Sequence, residues 1–492
     1  MTVTEVFAGV SLRTKLPPDL AQSTVTGLEY DSRRIGSGNL FFAFEGHHAD
    51  GRRFAADALA RGAVAVVSQS ARPADFSGNW IEVEHGRRAL ALAARNFYGK
   101  PDERVRVTGI TGTNGKTTTA YLVDAVLRAT NQTTALIGTI EYHLGPRILP
   151  AVNTTPESLD LVRILAELES IGGTYATMEV SSHALALGRV YGLNFHTALF
   201  TNLTRDHLDF HSSMEEYFVA KRQLFDGPGG PPPRFAVLNW DDEYARRICC
   251  ASTTEVFWYG FGNEAAVRAS KVSSTLEGLR FEVEYGSTRF PVESALMGRI
   301  NVYNILAACA AGLTFGLGPE TIAKGIAACS AVPGRFERVY EGQPFAVIVD
   351  YAHTDDALRN TIRIARELTP NRVITLFGCG GDRDRSKRPL MGQAAAEMSD
   401  FVIVTSDNPR SEDPLDILND ALVGLRRYDT PHLIEPDRAT AIQRAIEKAQ
   451  PGDVVILAGK GHENYQVLKD RTIPFDDRDV ARKLLRSFGY RK

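Results

Sequence analysis

The chain has 492 residues, and at roughly 150 residues per domain this length indicates about three domains rather than one small binding module. It carries 56 Lys and Arg against 59 Asp and Glu, a net charge of −3, so there is neither the basic excess of a nucleic-acid-binding protein nor an acidic tail. Glycine (42 residues) and proline (23 residues) occur at ordinary frequencies, which excludes collagen-like and low-complexity chains.

The cysteine count and the apolar segments indicate the compartment. The five cysteines form no Cys-x-x-Cys pair, so neither a disulfide framework nor a thiolate zinc site is indicated. The N-terminus has no basic segment ahead of an apolar stretch, so we expect no cleaved secretory signal. Residues 300–319 carry no charge, but Asn, Gly and Pro interrupt them, which favours a buried helix over a membrane span. These features predict a cytoplasmic protein.

Eight short runs of apolar and β-branched residues end in glycine or polar residues and alternate with helical patterns. They are RVRVTGITG, YATMEVSS, HTALFTN, FAVLNWDD, FAVIVDYAH, VITLFGCGGD, FVIVTSDNP and DVVILAGKG. This alternation is typical of parallel sheets built from βαβ units, so the sequence predicts an α/β fold. Because ligands gather beyond the carboxyl ends of such strands, we expect the functional residues there.

Two domain boundaries are predicted. An alanine-rich helical pattern stops at Lys100-Pro101, and a second break falls at Val332-Pro333-Gly334. The expected domains are therefore residues 1–100, 101–332 and 333–492. The stretch GPGGPPP has the composition of a linker, but a strand follows it at once, so we interpret it as a loop within the second domain.

The segment VTGITGTNGKTTTAYLVDAVLRA predicts a strand, a glycine-rich turn and a helix that begins at Lys116 and Thr117. In such a loop, backbone N–H groups face a phosphate, the lysine reaches the β- and γ-phosphates, and the hydroxyl binds Mg²⁺. The strict G-x4-G-K-[ST] spacing is not met, because Ile110 stands at the first glycine position and Gly112 lies only three residues before Gly115. The sequence predicts a variant phosphate loop.

Glu179 in MEVSSH and His207 in TNLTRDHLDFH each follow a predicted strand and together can ligate a metal. Glu179 alone is also explained as a surface carboxylate next to a helix cap. His207 and His211 are four residues apart, but HLDFH lacks the glutamate of the zinc-protease motif. Magnesium with nucleotide phosphates is the better match, since Mg²⁺ takes few protein ligands beside phosphate oxygens and water.

Lys221 lies within the apolar face of the predicted helix SMEEYFVAKRQLF. One interpretation is a buried stem with its ammonium in water. The other is a lysine whose pKa is lowered by burial, which leaves a neutral amine that can react. The sequence leaves both interpretations open.

Polar clusters also follow the later strands, in PGRFE, DYAHTDDAL, GCGGDRDRSKRPLM, SDNPR and AGKGHENYQ. With these motifs in one order, together with GTNGKTTTAYL, NTTPESLDL, YFVAKRQLF and GRINVYN, the chain resembles the Mur ligases. The resemblance extends from about residue 30 to residue 465. It implies an N-terminal UDP-binding domain, a central P-loop-type ATPase domain and a C-terminal Rossmann-like domain that brings the incoming amino acid.

The resemblance also implies the reaction. ATP activates a carboxylate as an acyl phosphate, and an amine attacks it in a peptidoglycan precursor pathway of cell wall biogenesis. The implied substrates are UDP-N-acetylmuramoyl-L-alanyl-D-glutamate, favoured by EYDSR and GHHAD, and meso-2,6-diaminopimelate, favoured by DNPR. ATP and Mg²⁺ are the implied cofactors, with no nucleic-acid partner and a monomeric enzyme. The alternatives are a ligase that adds lysine, a ligase that adds glutamate to folate, and a nucleotide-switched binding protein without ligase chemistry.

By resemblance, the ATP phosphates are assigned to Gly112, Thr113, Asn114, Gly115, Lys116, Thr117 and Thr118. Mg²⁺ is assigned to Thr117, Glu179, His207 and Lys221, the last as a carbamate. The adenine side is assigned to Asn301 and Asn304, and third-domain ATP contacts to Arg335 and Asp350, with His353 in the same cluster. The catalytic set is therefore Lys116, Glu179, His207 and Lys221.

The resemblance assigns the UDP-sugar peptide to Tyr30, Ser32, His47, His48, Ala49, Asn153, Thr154, Thr155, Ser181, Leu187 and Arg189. Leu187 stands where the family often has glutamine, and Asp355 replaces the proline of the usual YAHTPDAL pattern. The incoming amino acid is assigned to Arg383, Asp407, Asn408, Pro409, Arg410, Gly459 and Glu463.

Overall fold

The computed structural model describes residues 1–46, 50–208 and 210–491, so the predicted substrate residues His47, His48 and Ala49 lie outside the described residues. The first part of the chain forms the elements α1 (Val3–Val6), α2 (Pro18–Ala21), β1 (Gly27–Glu29), β2 (Asn39–Phe42), α3 (Ala55–Ala60), β3 (Ala65–Ser68), β4 (Trp80–Glu82) and α4 (Gly86–Phe97). The strands form a four-stranded parallel sheet in the order β1-β2-β3-β4. The alanines of α4 are buried in one core with this sheet, so small side chains let the helix approach it closely.

The described residues of the central part form eleven strands and six helices: β5 (Arg106–Thr111), α5 (Lys116–Arg128), β6 (Thr134–Ile137), β7 (Glu141–Leu144), β8 (Arg147–Pro150), α6 (Ser158–Ser170), β9 (Tyr175–Glu179), α7 (Ser182–Ala186), β10 (Phe195–Phe200), α8 (Met214–Asp226), β11 (Phe235–Asn239), β12 (Glu255–Gly260), β13 (Val267–Thr275), β14 (Gly278–Tyr285), β15 (Thr288–Ser294), α9 (Ile300–Thr314) and α10 (Pro319–Ala328). All eleven strands join one sheet, in the order β15-β14-β13-β12-β11-β10-β5-β9-β6-β7-β8.

The middle of this sheet, β12 through β6, is parallel as the sequence predicts. Its two ends are antiparallel, at β13 to β15 and at β6 to β8, which the sequence analysis did not predict. The outer and middle strands differ in the burial of their side chains. Buried and exposed residues alternate along β15, whereas β5 and β9 are almost wholly buried. The loop interpretation of GPGGPPP is confirmed, because β10 and β11 on its two sides pair in the same sheet.

The uncharged segment at 300–319 forms α9 and the start of α10, and α9 is buried in the central core. Among the described residues, no helix is both long enough and apolar enough to cross a membrane.

The last part of the chain contains β16 (Glu337–Val339), β17 (Ala346–Asp350), α11 (Asp355–Leu368), β18 (Val373–Phe377), α12 (Lys387–Met398), β19 (Phe401–Val404), α13 (Pro414–Leu425), β20 (His432–Ile434), α14 (Arg438–Lys448), β21 (Val454–Ala458), β22 (Tyr465–Val467), β23 (Thr472–Pro474) and α15 (Asp477–Ser487). Six strands form a sheet in the order β16-β17-β21-β18-β19-β20, parallel except for β16, and β22 pairs with β23.

All eight runs read as strands in the sequence are strands in the structure, so the α/β prediction is confirmed. Each of the three large sheets takes its strands from one of the expected ranges 1–100, 101–332 and 333–492. We therefore propose these ranges as the domains.

Arg438 and Asp477 form an ion pair of 2.7 Å whose two side chains are both fully buried beneath the third sheet's strand ends. Arg438 also donates to the carbonyl oxygens of Ser406 and Ala458, so it ties two loops together. Removing one charge from a buried pair leaves the other uncompensated. We expect Asp477→Asn to lower the free energy of unfolding in the transition of this domain by about 3–5 kcal/mol, measured by urea denaturation.

The control is Asp479→Asn two residues away, whose ion pair with Arg482 is exposed to solvent. That change should cost less than about 1 kcal/mol, since exposed pairs contribute little. Equal losses in both variants would contradict the buried-pair argument.

Candidate active site

A cavity of about 890 Å³ lies between the central sheet and the third domain. The predicted residues that line it are Thr113, Asn114, Gly115, Lys116, Thr117, Thr118, Asn153, Thr154, Thr155, Glu179, Ser181, Leu187, Arg189, His207, Lys221, Asn301, Asn304, Arg335, Asp350 and Arg383. A second cavity of about 870 Å³ shares Asp206, His207, Tyr351, His353, Thr354 and Arg383 with it and adds the predicted residues Asp407, Asn408, Arg410, Gly459 and Glu463. The two form one cleft across the strand ends of both sheets.

The glycine-rich turn between β5 and α5 is as tight as a phosphate loop requires. Gly112 and Gly115 have φ values of +143° and +85°. A Cβ atom at Gly112 would lie 1.9 Å from the hydroxyl of Thr201, and one at Gly115 would lie 2.5 Å from the Asn304 side chain. Any other residue would clash at both positions, so the fold requires glycine at 112 and 115 although their spacing differs from the strict phosphate-loop pattern.

Lys116 begins α5 and folds back over this loop. Its ammonium donates to the carbonyl oxygens of Gly112 at 3.0 Å and Thr113 at 2.8 Å. Burial lowers the pKa of Lys116, and the Glu179 carboxylate opposes that shift. The loop thus holds the lysine at a helix N-terminus, a position that favours anions.

Glu179, at the end of β9, is 1% exposed, and its carboxylate accepts three hydrogen bonds at this edge. The Thr117 hydroxyl donates to it at 3.0 Å, the Thr139 backbone N–H at 2.8 Å and the Thr139 hydroxyl at 3.1 Å, while Arg335 donates to the Thr117 hydroxyl at 3.1 Å. A buried carboxylate beside a hydroxyl is an oxygen donor set that suits Mg²⁺ bound next to phosphate. Among the described residues, no group of three His, Cys, Asp or Glu side chains is arranged to hold a metal ion.

Lys221 projects from α8 toward the same loop. Its side chain is 1% exposed, and its amine donates to the Gly112 carbonyl oxygen at 2.7 Å. The interpretation that places its ammonium in water is therefore wrong. Burial, and then the charge of Lys116, hold the pKa of Lys221 well below its usual value, as the second interpretation requires.

His207 follows β10 with a φ of +54°, and its ring lies 5.1 Å from the His183 ring and 5.9 Å from the Tyr217 ring. Burial lowers the pKa of His207 to about 4. The imidazole is therefore neutral, which is the form that binds a metal.

Two predicted ATP contacts come from the third domain: Arg335 reaches the central domain, whereas Asp350 bonds within the third domain. The Arg335 guanidinium stacks 4.7 Å from the centre of the Tyr351 ring. Asp350 is engaged by the protein itself, because it accepts from the N–H groups of Phe336 and Ala352 and from the Thr361 hydroxyl. Burial raises the pKa of Asp350. In this structure Asp350 fixes the turn that carries Arg335.

Asn301 and Asn304 lie on the first turn of α9. Asn304 donates to Asn301 at 2.8 Å, and Asn301 donates to the Met297 carbonyl oxygen at 2.7 Å. Their contacts orient both amides on the cavity wall beneath Gly115.

Asp356 is not among the residues predicted from the sequence, yet it connects the phosphate loop to the third domain. Asp356 accepts from the Asn114 amide at 3.2 Å and from the Thr204 hydroxyl at 3.1 Å. The available signal was its neighbour Asp355, where the pattern departs from the family and begins α11.

Six of the residues expected to bind the UDP-sugar peptide line the first cavity: Asn153, Thr154, Thr155, Ser181, Leu187 and Arg189. Arg189 donates to the Thr155 carbonyl oxygen at 2.9 Å and to Glu157 at 2.9 Å, and Arg87 of α4 also pairs with Glu157. Ser181 caps α7 through the Ala184 N–H. The first domain thereby connects to Arg189 through the shared partner Glu157.

Tyr30 and Ser32 do not line either cavity. The Tyr30 hydroxyl donates to Asp160 of α6 at 2.5 Å, and its ring stacks on Phe44 with centroids 6.2 Å apart. Ser32 begins a short 3₁₀ turn and is buried. The structure therefore separates these two residues from the phosphate loop.

The second cavity gathers the residues expected to bind the amino acid. Arg410 has a φ of +52° and donates to the Gly381 carbonyl oxygen at 2.6 Å, while Asn408 donates to Glu463 at 2.9 Å. Lys460 is fully buried and contacts Asn408 and Glu463, but it was not predicted from the sequence. A lysine between two glycines has the sequence pattern of an exposed loop residue. Pro409 does not line the cavity.

Comparisons with known proteins agree with this arrangement. Three family models match in order: the Mur ligase family catalytic domain at residues 24–98, the Mur ligase middle domain at 110–312, and the Mur ligase glutamate ligase domain at 334–461. The chain is 68% identical over 490 residues to the UDP-N-acetylmuramoyl-L-alanyl-D-glutamate–2,6-diaminopimelate ligase of Solibacter usitatus, covering 100% of this chain and 99% of that protein. The ligase of the same name from Geobacillus kaustophilus is 47% identical, covering 94% and 96%.

A solved structure of a ligase with the same name matches with a TM-score of 0.72 and 32% identity, covering 99% of both chains. A Mycobacterium tuberculosis folylpolyglutamate synthase matches with a TM-score of 0.60 at 17% identity, covering 76% of this chain and 91% of that chain, which is a likeness of fold.

Proposed function

The chain belongs to the Mur ligase family, and from that premise we propose that it joins meso-2,6-diaminopimelate to the D-glutamate γ-carboxylate of UDP-N-acetylmuramoyl-L-alanyl-D-glutamate at the expense of ATP. The observation that carries the proposal is the single cleft with a phosphate loop at one end and a cluster of arginine and carboxylate side chains at the other. The product is a peptidoglycan precursor, and we propose a monomeric cytoplasmic enzyme.

The reaction has two chemical steps. The γ-phosphoryl group of ATP passes to a carboxylate oxygen and gives an acyl phosphate and ADP. The amine of the incoming amino acid then attacks the acyl carbon, a C–N bond forms, phosphate leaves, and the amine loses a proton. The chain's contribution to the first step is positioning and charge neutralisation, since phosphoryl transfer demands little else. Lys116 supplies the cation, and the N–H groups in the first turn of α5 supply fixed donors, whereas those of Thr113 and Asn114 already donate to Asn202.

The oxygen donors at this edge fit Mg²⁺. Thr117 and Glu179 would hold one ion, and His207 with a carbamate on Lys221 would hold a second. When bound, Mg²⁺ neutralises phosphate charge. Arg335 bridges from the third domain to Thr117, so it supplies a further cation to the same region.

The substrates would meet where the two cavities join. Thr155, Ser181 and Arg189 line the side of the phosphate loop that faces the first domain, which suits the anionic peptide. Arg383 borders both cavities, so in this proposal it would lie between the activated carboxylate and the incoming amine.

The test is ADP formation by the native enzyme with a panel of amino acids. Release of one ADP per peptide bond, requiring both the UDP-linked peptide and diaminopimelate, is expected. ADP release without an amino acid would instead support a nucleotide-switched binding protein, and equal use of L-lysine or a folate acceptor would support another ligase.

Arg410 is the residue that we expect to select diaminopimelate over lysine. The two substrates differ by one carboxylate, which a guanidinium binds through paired donors, whereas lysine would leave that cation without an anion. Arg410 uses one terminal nitrogen on Gly381 and lines the second cavity. We expect Arg410→Ala to lower the ratio of kcat/KM for diaminopimelate over lysine by about 30-fold or more.

The control is Arg444→Ala, an exposed arginine on α14 that pairs with Glu447. Its preference should equal that of the native enzyme. An undiminished preference in Arg410→Ala would refute the assignment of Arg410.

A further inference from the structure

Lys460 is a fully buried lysine in the loop that follows β21, and it does not line either cavity. A buried ammonium needs partners of opposite charge. Its partners are all residues of the second cavity: Glu463 at 3.0 Å, Asn408 at 3.3 Å and Asp407 at 3.5 Å. Lys460 thus lies directly behind the polar side chains of the amino-acid site.

These contacts connect two loops. Asp407 and Asn408 follow β19, whereas Lys460 and Glu463 follow β21, and β18 separates the two strands in the sheet. Asn408 completes the connection by donating to Glu463 at 2.9 Å. The Lys460 ammonium is therefore the charged centre of a network that spans the sheet edge.

The network orients the side chains through their other contacts. The Asn408 side-chain oxygen accepts from the Val467 N–H at 2.9 Å as well as from Lys460, so the amide nitrogen must point to Glu463. The side chains of Asp407 and Glu463 are 11% and 15% exposed, so each presents only part of its carboxylate to the cavity. Without the ammonium, the carboxylates of Asp407 and Glu463 would lose the cation that contacts both, and like charges repel.

We infer that Lys460 is a positioning residue of the amino-acid site, which holds Asp407, Asn408 and Glu463 in the arrangement that receives the incoming amino acid. The inference rests on the proposed function of this cavity. A diamino acid brings an ammonium group, and carboxylates held in place by a buried cation are preorganised to bind it without first rearranging. The expected signature is a change in affinity for the amino acid alone.

The test compares Lys460→Met, which keeps the length and apolar packing but removes charge and donors, with Lys460→Gln, which keeps an N–H donor. Steady-state kinetics would give kcat and the separate KM values for diaminopimelate, ATP and the UDP-linked peptide. We expect Lys460→Met to raise the KM for diaminopimelate about 10- to 100-fold, the effect of losing hydrogen bonds to charged groups. The other two KM values should stay within about threefold, and Lys460→Gln should lie between native and Met.

The matched control is Val455→Ala, which opens a cavity in β21, the strand that precedes Lys460, at a residue that lines neither cavity. It should lower thermal stability and leave the KM for diaminopimelate unchanged. An unchanged KM in a folded Lys460→Met enzyme would overturn the inference, as would a parallel rise of all three KM values. Failure of both Lys460 variants to fold would assign the residue a structural role and overturn it equally. If the native enzyme does not use diaminopimelate, it is the proposed function that fails.

Discussion

Replacing Lys116 by alanine is expected to lower kcat for ADP formation by at least about 10²- to 10³-fold, the cost of removing a preorganised charge from a transition state. The structure gives the reason, because the ammonium is already held on the carbonyl oxygens of Gly112 and Thr113 at the N-terminus of α5. The negative charge that develops during phosphoryl transfer would lose its nearest fixed cation. The fold should survive, since the hydrogen bonds of Lys116 are confined to its own loop.

The measurement is the initial rate of ADP release at saturating substrates, with circular dichroism to verify folding. Arg128→Ala is the matched control, because Arg128 ends the same helix with a largely exposed side chain. It should retain turnover within about twofold, because Arg128 lies about three turns of α5 away from Lys116 and its ion pair is with Asp124 of the same helix. Near-native turnover by a folded Lys116→Ala enzyme would remove the ATP site from this loop.

Much of the fold was predictable because buried parallel strands have a local signature. The run FAVIVD, for example, contains β17, whose first four residues are all buried. Because both faces of this strand are covered, its sequence is a continuous apolar run that can be recognised locally. The antiparallel strands β14 and β15 carry charged residues and bury alternate side chains, so they lack the continuous apolar run that marks the parallel strands. Their sequence signal is the period-two alternation seen in LRFEVEY, which the prediction did not use.

The candidate site was partly predictable for a related reason. Residues at the carboxyl ends of buried strands, such as Glu179 of β9 and Asp350 of β17, converge on one edge by topology alone. Arg335 was also expected to follow a strand, but the structure places it after α10 and ahead of β16. Residues that act across a distance in the chain left no local signal. Asp356 contacts Asn114 only because the central and third domains meet in the fold. Lys460 contacts Asn408 only because the sheet places β21 and β19 on either side of β18, so the loops that follow these two strands lie close together.

The carbamate proposed on Lys221 has a physical basis in the charges around Gly112. The amines of Lys116 and Lys221 both donate to the carbonyl oxygen of Gly112, at 3.0 Å and 2.7 Å. Two ammonium groups on one carbonyl repel each other, which favours loss of a proton from the more buried lysine. The neutral amine can then add to the carbon of CO₂, forming an N–C bond and releasing one proton, which turns a cation into a carboxylate.

We therefore expect Lys221→Ala to lose nearly all ligase activity, and added formate or acetate to restore part of it by supplying the missing carboxylate. The native enzyme should also lose activity in CO₂-depleted buffer and regain it with bicarbonate. Arg222→Ala is the matched control, since Arg222 follows directly on α8 but forms an exposed pair with Asp226. That variant should keep native activity and gain nothing from formate.

Because a carboxylate can replace a carbamate but not an ammonium, rescue separates the two forms of Lys221. A Lys221→Ala enzyme that is folded, inactive and indifferent to every short carboxylate, together with a native enzyme indifferent to CO₂, would mean that the amine itself is the functional group.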